Sequence, residues 1–189
     1  MARPKSEDKR DALMAAATRV IAAQGLSAPT AAIAREAGVS NGSLFTYFET
    51  KADLFNQLYL ELKTGMAAAS LDGLAVQTPL REQFSRMWSN WMRWATSNPG
   101  KRRALALLDV SDDIAPQTRA ASHQAMAEVA EMLERARARG PMRDAPMGFV
   151  VAIMDSLAEA TMDFMLSDPA NAGEHCRAGF GALCRMLGC

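Results

Sequence analysis

Apolar residues in this chain recur three and four positions apart, and they almost never alternate. Leu13, Ala16, Ala17 and Val20 follow that spacing, as do Leu54, Leu58 and Leu62, and again Phe84, Met87, Trp88 and Trp91. A period near 3.6 marks one face of a helix, whereas a half-buried strand has a period of two. The one strand-like run, Phe149-Val-Val-Ala-Ile-Met154, lies in surroundings of helical spacing and reads as buried helix. The pattern predicts an all-α chain. With 49% hydrophobic and 22% charged residues over 189 positions, a solid core is available and disorder is not expected.

Helix ends can be read from capping and breaking residues. Ser6, followed by Glu7 and Asp8, looks like a cap with acids in the first turn, and Gly25 stops that helix. A short second helix is predicted over about 30–37, ending at Gly38. A third covers about 41–48 with Ser40 as its cap. Thr50-Lys-Ala-Asp53 matches a capping box and opens a long fourth helix. Five further stretches follow, near 79–97, 99–108, 116–139, 146–166 and 170–187. The breaks between them carry Asn98-Pro99-Gly100, Asp112-Asp113, Gly140-Pro141 and Asp168-Pro169.

Charge limits the range of partners. Lys+Arg and Asp+Glu are both 21, which excludes a uniformly basic coat but permits a local basic patch. Residues 1–52 hold seven Lys/Arg against five Asp/Glu, and the remainder holds 14 against 16. The first segment thus has the sign a DNA-binding head needs. No apolar run approaches the ~18 residues of a membrane span, and the charged start has no signal-like apolar core. A soluble, cytoplasmic chain with no membrane partner is expected.

Residues 30–48 carry the most specific pattern. A short helix ends at Gly38, Val39 fills the turn, and a second short helix follows, which reads as a helix-turn-helix. Ala34 is small where the helices approach, and Gly38 supplies a positive φ. Ile33, Val39, Leu44 and Phe48 are placed to hold the pair together. The second helix then presents the short polar side chains of Asn41, Ser43 and Thr46, and a helix fits the major groove of B-DNA. An ordinary helical hairpin is the competing reading.

Over a longer window, residues 7–60 resemble the N-terminal domain of TetR-family transcriptional repressors. The matching run is Ile33-Ala-Arg-Glu-Ala-Gly-Val-Ser-Asn-Gly-Ser-Leu-Phe-Thr-Tyr-Phe-Glu-Thr-Lys-Ala-Asp-Leu54. The resemblance implies two domains, a helix-turn-helix DNA-binding domain over 1–52 and a helical effector-binding and dimerisation domain over 53–189. By position, it places Ser40, Asn41, Ser43 and Thr46 toward the groove and Tyr47 and Lys51 on phosphates. Thr30 would cap the second helix and touch a phosphate. Arg3, Lys5, Lys9 and Arg10 would form a mobile basic arm. The sequence departs from the family pattern at Pro29, where the capping Thr usually sits, and at Phe45, where a Tyr is usual. Function follows as an expectation: a homodimeric repressor on a near-palindromic operator, released by a small, mainly apolar effector. The bacterial chain would be nucleoid-associated when bound.

The C-terminal part has independent signs of both remaining roles. Over 146–166 apolar residues cover about 220° of the helix, far more than the ~100° stripe of a one-sided helix. Such a helix needs two partners, and 170–187 has an apolar side of its own. Val150, Leu157, Phe164, Phe180, Leu183 and Leu187 are the candidate dimer residues, a buried helix within a monomer being the alternative. The stretch 80–95 concentrates all three Trp. Phe84, Trp88 and Trp91, with Leu105, Leu108, Met126 and Met154, are candidates for lining an effector pocket, and plain core packing competes with that reading.

Other chemistries find little support. There is no Gly-rich phosphate loop, no Ser/His/acid set and no Cys/His spacing of a zinc site, so neither catalysis nor a cofactor is expected. Asp155, Glu159 and Asp163 read as a solvated or dimer-rim face rather than a cation site. Cys176 and Cys184, eight apart on one helix, lie ~12 Å apart along its axis and cannot bond to each other. Cys189 is a candidate reactive thiol, against the commoner case of inert thiols.

Overall fold

A computed structural model describes residues 5–75 and 77–189, with the side chains of Lys5 and Ser6 left out. Among them are ten α-helices and no strand: α1 (Lys5–Gln24), α2 (Thr30–Glu36), α3 (Asn41–Leu44), α4 (Lys51–Leu71), α5 (Leu80–Ser97), α6 (Pro99–Asp109), α7 (Pro116–Ala125), α8 (Ala127–Arg137), α9 (Met147–Ser167) and α10 (Ala172–Leu187). A 3-10 turn, Pro169–Asn171, precedes α10.

The predicted architecture is found, with three local differences. The 41–48 helix is α-helical only through Leu44. Thr46 and Tyr47 then bond back three residues, to the carbonyls of Ser43 and Leu44, so the chain tightens before Phe48. The 116–139 helix is two helices, because Met126 (φ −94°, ψ 5°) leaves helical geometry between α7 and α8. Finally, α1 starts at Lys5, one residue before the expected Ser6 cap.

The helices pack into two compact units. One contains residues 1–64 and 98–125, the other 65–97 and 126–189. Within the first, α1 packs on α2 and extensively on α6, and α2 on α3. Its buried apolar residues come from five helices: Leu13, Ala17 and Ile21 of α1, Ile33 of α2, Leu44 of α3, Leu54 and Leu58 of α4, and Leu105 and Leu108 of α6. Burying a Leu or Ile in this way contributes about 1.5–3 kcal/mol.

The second unit closes around α5, α8, α9 and α10. Phe84, Met87, Trp88, Met92, Leu133, Val150, Met154, Leu183 and Leu187 share one apolar cluster. Trp88 is fully buried, and its indole N–H donates to the carbonyl of Cys176 (3.1 Å). Close approach of α10 depends on Gly179: a Cβ there would collide with Thr161 and sit 3.1 Å from the Trp88 ring.

Candidate nucleic-acid interface

The turn between α2 and α3 is built by backbone bonds. Gly38 has φ 70°, its N–H donates to the Arg35 carbonyl (3.1 Å), and the Val39 N–H reaches back to Ala34 (2.9 Å). This pair of bonds satisfies carbonyls that a helix end would otherwise leave open. Ile33, Ala34, Leu44 and Phe48 are buried beneath the turn and lock the two helices into one unit.

The α3 surface is then presented by its caps. Ser40 (φ −71°, ψ 153°) caps α3, its hydroxyl accepting from the Ser43 N–H at 3.1 Å. The Ser40 hydroxyl proton stays available for a partner. Thr46 donates its hydroxyl proton to the Ser43 carbonyl (2.7 Å), so it faces outward as an acceptor and a methyl group. Asn41 is exposed, Ser43 and Tyr47 are half-buried. Phe45 is 43% exposed beside Thr46. The sequence marks Phe45 only as a departure from the usual Tyr, although an exposed aromatic here can pack on sugars or thymine methyls.

Behind α3, α4 opens as the capping box predicts in part. The Asp53 N–H donates to the Thr50 hydroxyl oxygen (3.0 Å), while the Asp53 carboxylate accepts from the Glu49 N–H (3.1 Å) instead of closing on Thr50. Lys51, at the first helical position, donates to the Leu26 carbonyl (2.7 Å) and lies 5.3 Å from the Phe55 ring centroid. Its ammonium is thereby held against the α1–α2 loop with two further protons to offer a phosphate.

Two N-terminal expectations are corrected. Thr30 does not cap α2. The capping position is Pro29 (φ −71°, ψ 149°), which has no side-chain bond to give, and Thr30 is already helical. Arg10 is no part of a mobile arm. It belongs to α1 and bonds the Gln57 side-chain oxygen (3.0 Å), with the Glu61 carboxylate at 3.8 Å. Lys9 is an exposed residue of the same helix, and Arg3 and the Lys5 side chain lie outside the described residues.

The comparisons with known proteins bear directly on this surface. Residues 13–58, from the α1 core face through the first turns of α4, match the profile of bacterial regulatory proteins, tetR family. This N-terminal segment is similar to the DNA-binding domain of that family. Solved structures agree along its whole length. A TetR-family transcription regulator from Marinobacter aquaeolei VT8 superposes with a TM-score of 0.86 at 21% identity, covering 98% of each chain. One from Shewanella sp. PV-4 gives 0.82 at 26% identity, covering 93% of this chain and 95% of that one. The α2–α3 helix-turn-helix lies wholly inside the matched segment.

The candidate effector residues are divided between the two units. Leu105 and Leu108 are buried in the first, on α6. Phe84, Trp88 and Met154 are buried in the apolar cluster of the second, and Trp91 and Met126 pack against it. Trp88 meets Trp91 edge to face, with centroids 5.9 Å apart. One open cleft of that unit lies on the opposite, polar side of α5, about 520 Å³ and lined by Asp72, Ser85, Arg86, Ser89, Asn90 and Arg93 among others. A second, of about 350 Å³, is lined by Arg81, Ser85, Cys176 and Phe180 among others. The helical wheel points Arg86 and Arg93 outward, and the first cleft is on that outward side.

The candidate dimer residues are divided as well. Val150, Leu183 and Leu187 are fully buried in the chain's own core and have no surface for a partner. Leu157 and Phe180 are half-buried. Phe164 is 62% exposed, and Phe149 (57%) and Leu166 (41%) join it as exposed apolar residues of α9.

A polar network along α4 was not foreseen. The Tyr59 hydroxyl donates to Asp109 (2.7 Å) at the end of α6, and Lys63 pairs with the same carboxylate (3.0 Å). Asn56 bonds the Asp113 carbonyl and accepts from the Ala115 N–H, and Arg119 closes on the carbonyls of Asp109 and Ser111. Single polar residues scattered over 56–119 give no local signal of such a cluster.

Proposed function

We propose that this chain is a homodimeric transcriptional repressor that binds a near-palindromic operator, with residues 1–52 as the DNA-binding domain and 53–189 as the effector-binding and dimerisation domain. The observation that carries the reading is the α2–Gly38–α3 surface, which exposes Asn41, Phe45 and Thr46 above a fully packed turn. Ser40, Asn41, Ser43 and Thr46 read the groove, Tyr47 and Lys51 take phosphates, and Thr30 reaches the backbone from the first turn of α2. With few long donors on α3, selectivity draws on Asn41, thymine methyls and DNA shape. The exposed apolar residues of α9 are where a second copy would seat, since Phe149 and Phe164 are costly to leave in water. Two such subunits place recognition helices about one DNA turn, ~34 Å, apart.

In this reading a small apolar effector favours a dimer state with altered spacing, and a differential affinity of about 1.4 kcal/mol weakens operator binding about tenfold. A second reading is favoured by one observation: Trp88 is fully buried in the apolar cluster and Trp91 packs against it. It makes the chain an operator-binding dimer without an apolar pocket, any ligand being polar and seated at the Arg86–Arg93 cleft. Sedimentation of the chain with DNA from upstream of its own gene tests the shared core of both readings. Two chains per duplex are expected, and one chain per duplex contradicts them. Calorimetric titration with apolar and anionic small molecules then separates the two.

A further inference from the structure

Helix α10 ends with two donors on one acceptor. The N–H groups of Gly188 and Cys189 both donate to the Cys184 carbonyl, at 2.8 and 3.1 Å, and Gly188 takes φ 88° to allow it. The bond from Cys189 spans five residues and folds the chain back over the helix's last turn. The same closure ends α2, where Val39 bonds Ala34 across Gly38. In this kind of helix end the first and sixth residues bring their side chains together, usually as an apolar contact. At α2 the pair is Ala34 and Val39, and at α10 it is two cysteines. We propose that Cys184 and Cys189 form a redox-active dithiol that closes to an intrachain disulfide.

The surroundings favour this pairing over any other. Cys184 is 3% exposed and Cys189 is half-buried, so an oxidant meets Cys189 first and the buried partner resolves the intermediate. Cys176, two turns earlier on α10, faces elsewhere: its sulfur lies 4.0 Å from the Ser89 hydroxyl. The turn is also docked, since a Cβ on Gly188 would meet the Gly140 backbone at 2.5 Å. A link between residues already held by a shared carbonyl has little chain entropy to overcome. Burial, and after it the neighbouring Cys184 thiol, push Cys189 up to about 12. Cys189 is then a thiol at neutral pH, and since the thiolate is the attacking form, it reacts slowly there and faster as pH rises.

With a low-molecular-weight disulfide as oxidant, the step balances. The Cys189 thiolate attacks one sulfur of the disulfide, forming a mixed disulfide and expelling one thiolate. The Cys184 thiolate then attacks the Cys189 sulfur and expels the second. The protein loses two hydrogens, and the oxidant is reduced to two thiols.

The test is incubation of the reduced full-length chain with oxidised glutathione across a pH series, followed by acid quench, alkylation and peptide mass mapping. The expected product links Cys184 to Cys189 within one chain, leaves Cys176 alkylated, and forms about tenfold faster per pH unit below the thiol's titration. Cys184→Ser should stop at the glutathione adduct on Cys189, and Cys189→Ser should form no intrachain link, both with the circular dichroism of the folded chain. A stable glutathione adduct on the unmutated chain, a link through Cys176, or predominant links between chains would overturn the proposal.

Discussion

The Tyr59 hydroxyl sits 2.7 Å from the Asp109 carboxylate, tying the middle of α4 to the end of α6 inside the first compact unit. Tyr59 is 3% exposed, and Lys63 takes the other carboxylate oxygen. Removing the carboxylate strands both donors, so Asp109→Ala should cost about 1–3 kcal/mol, whereas Tyr59→Phe removes one bond and should cost about 1 kcal/mol. Denaturant melts of the two variants check the order. Equal, negligible losses would show that the contact carries no stability.

The same pair makes stability pH-dependent on the alkaline side. Burial raises the Tyr59 phenol above its ordinary value of 10.0, outweighing the Ser122 hydrogen bond that lowers it, and the Asp109 carboxylate raises it further. A group whose folded pKa exceeds its unfolded one stabilises fully below the unfolded value and loses that contribution as pH rises through the folded one. Stability should therefore fall above about pH 10, and Tyr59→Phe should show a shallower fall over that range. Parallel profiles for the two proteins would assign the alkaline loss to other groups.

Trp88 distinguishes a packed core from a preformed apolar pocket. It is fully buried, meets Trp91 edge to face and donates to Cys176. Truncation of a packed aromatic costs about 3–5 kcal/mol, so Trp88→Ala should melt far below the parent chain. A pocket-lining side chain would tolerate truncation, and an unchanged melting temperature would restore the pocket reading.

Phe164 distinguishes a dimer face from a core face. It is 62% exposed, so Phe164→Glu should alter the subunit's own stability by no more than about 0.5 kcal/mol. A charge there would oppose burial against a second copy, and the dimer should dissociate at more than about tenfold lower dilution than the parent. Analytical ultracentrifugation reads this directly. Unchanged association would move the interface off this part of α9.

What the sequence made legible was local. Ser40, Gly38, Thr50 and Gly25 mark helix ends through their own backbone and side-chain chemistry, and the structure uses each for that purpose. Periodicity identified the helices but left open what each apolar face meets. Val150 and Phe164 belong to the same apolar arc of α9, yet one is fully buried and the other mostly exposed. Likewise Leu105 and Leu108 are candidates for an effector pocket by sequence, while α6 packs on α1, some 90 positions earlier, as no local pattern records. The break at Met126 was hidden because Ala, Glu and Met are all good helix formers. The Asp109 network was hidden because its members are far apart in sequence.

The central claim is that α3 and the start of α4 recognise a particular DNA sequence. The most direct test is fluorescence anisotropy of the chain on DNA from upstream of its own gene, titrated against salt and unrelated competitor, with Asn41→Ala and Lys51→Ala alongside. Binding should survive competitor. Asn41→Ala should lose about 1–3 kcal/mol on the operator alone, and Lys51→Ala should weaken all DNA alike and lower the salt slope by about one. Binding lost equally to any competitor, or variants indistinguishable from the parent, would contradict the account.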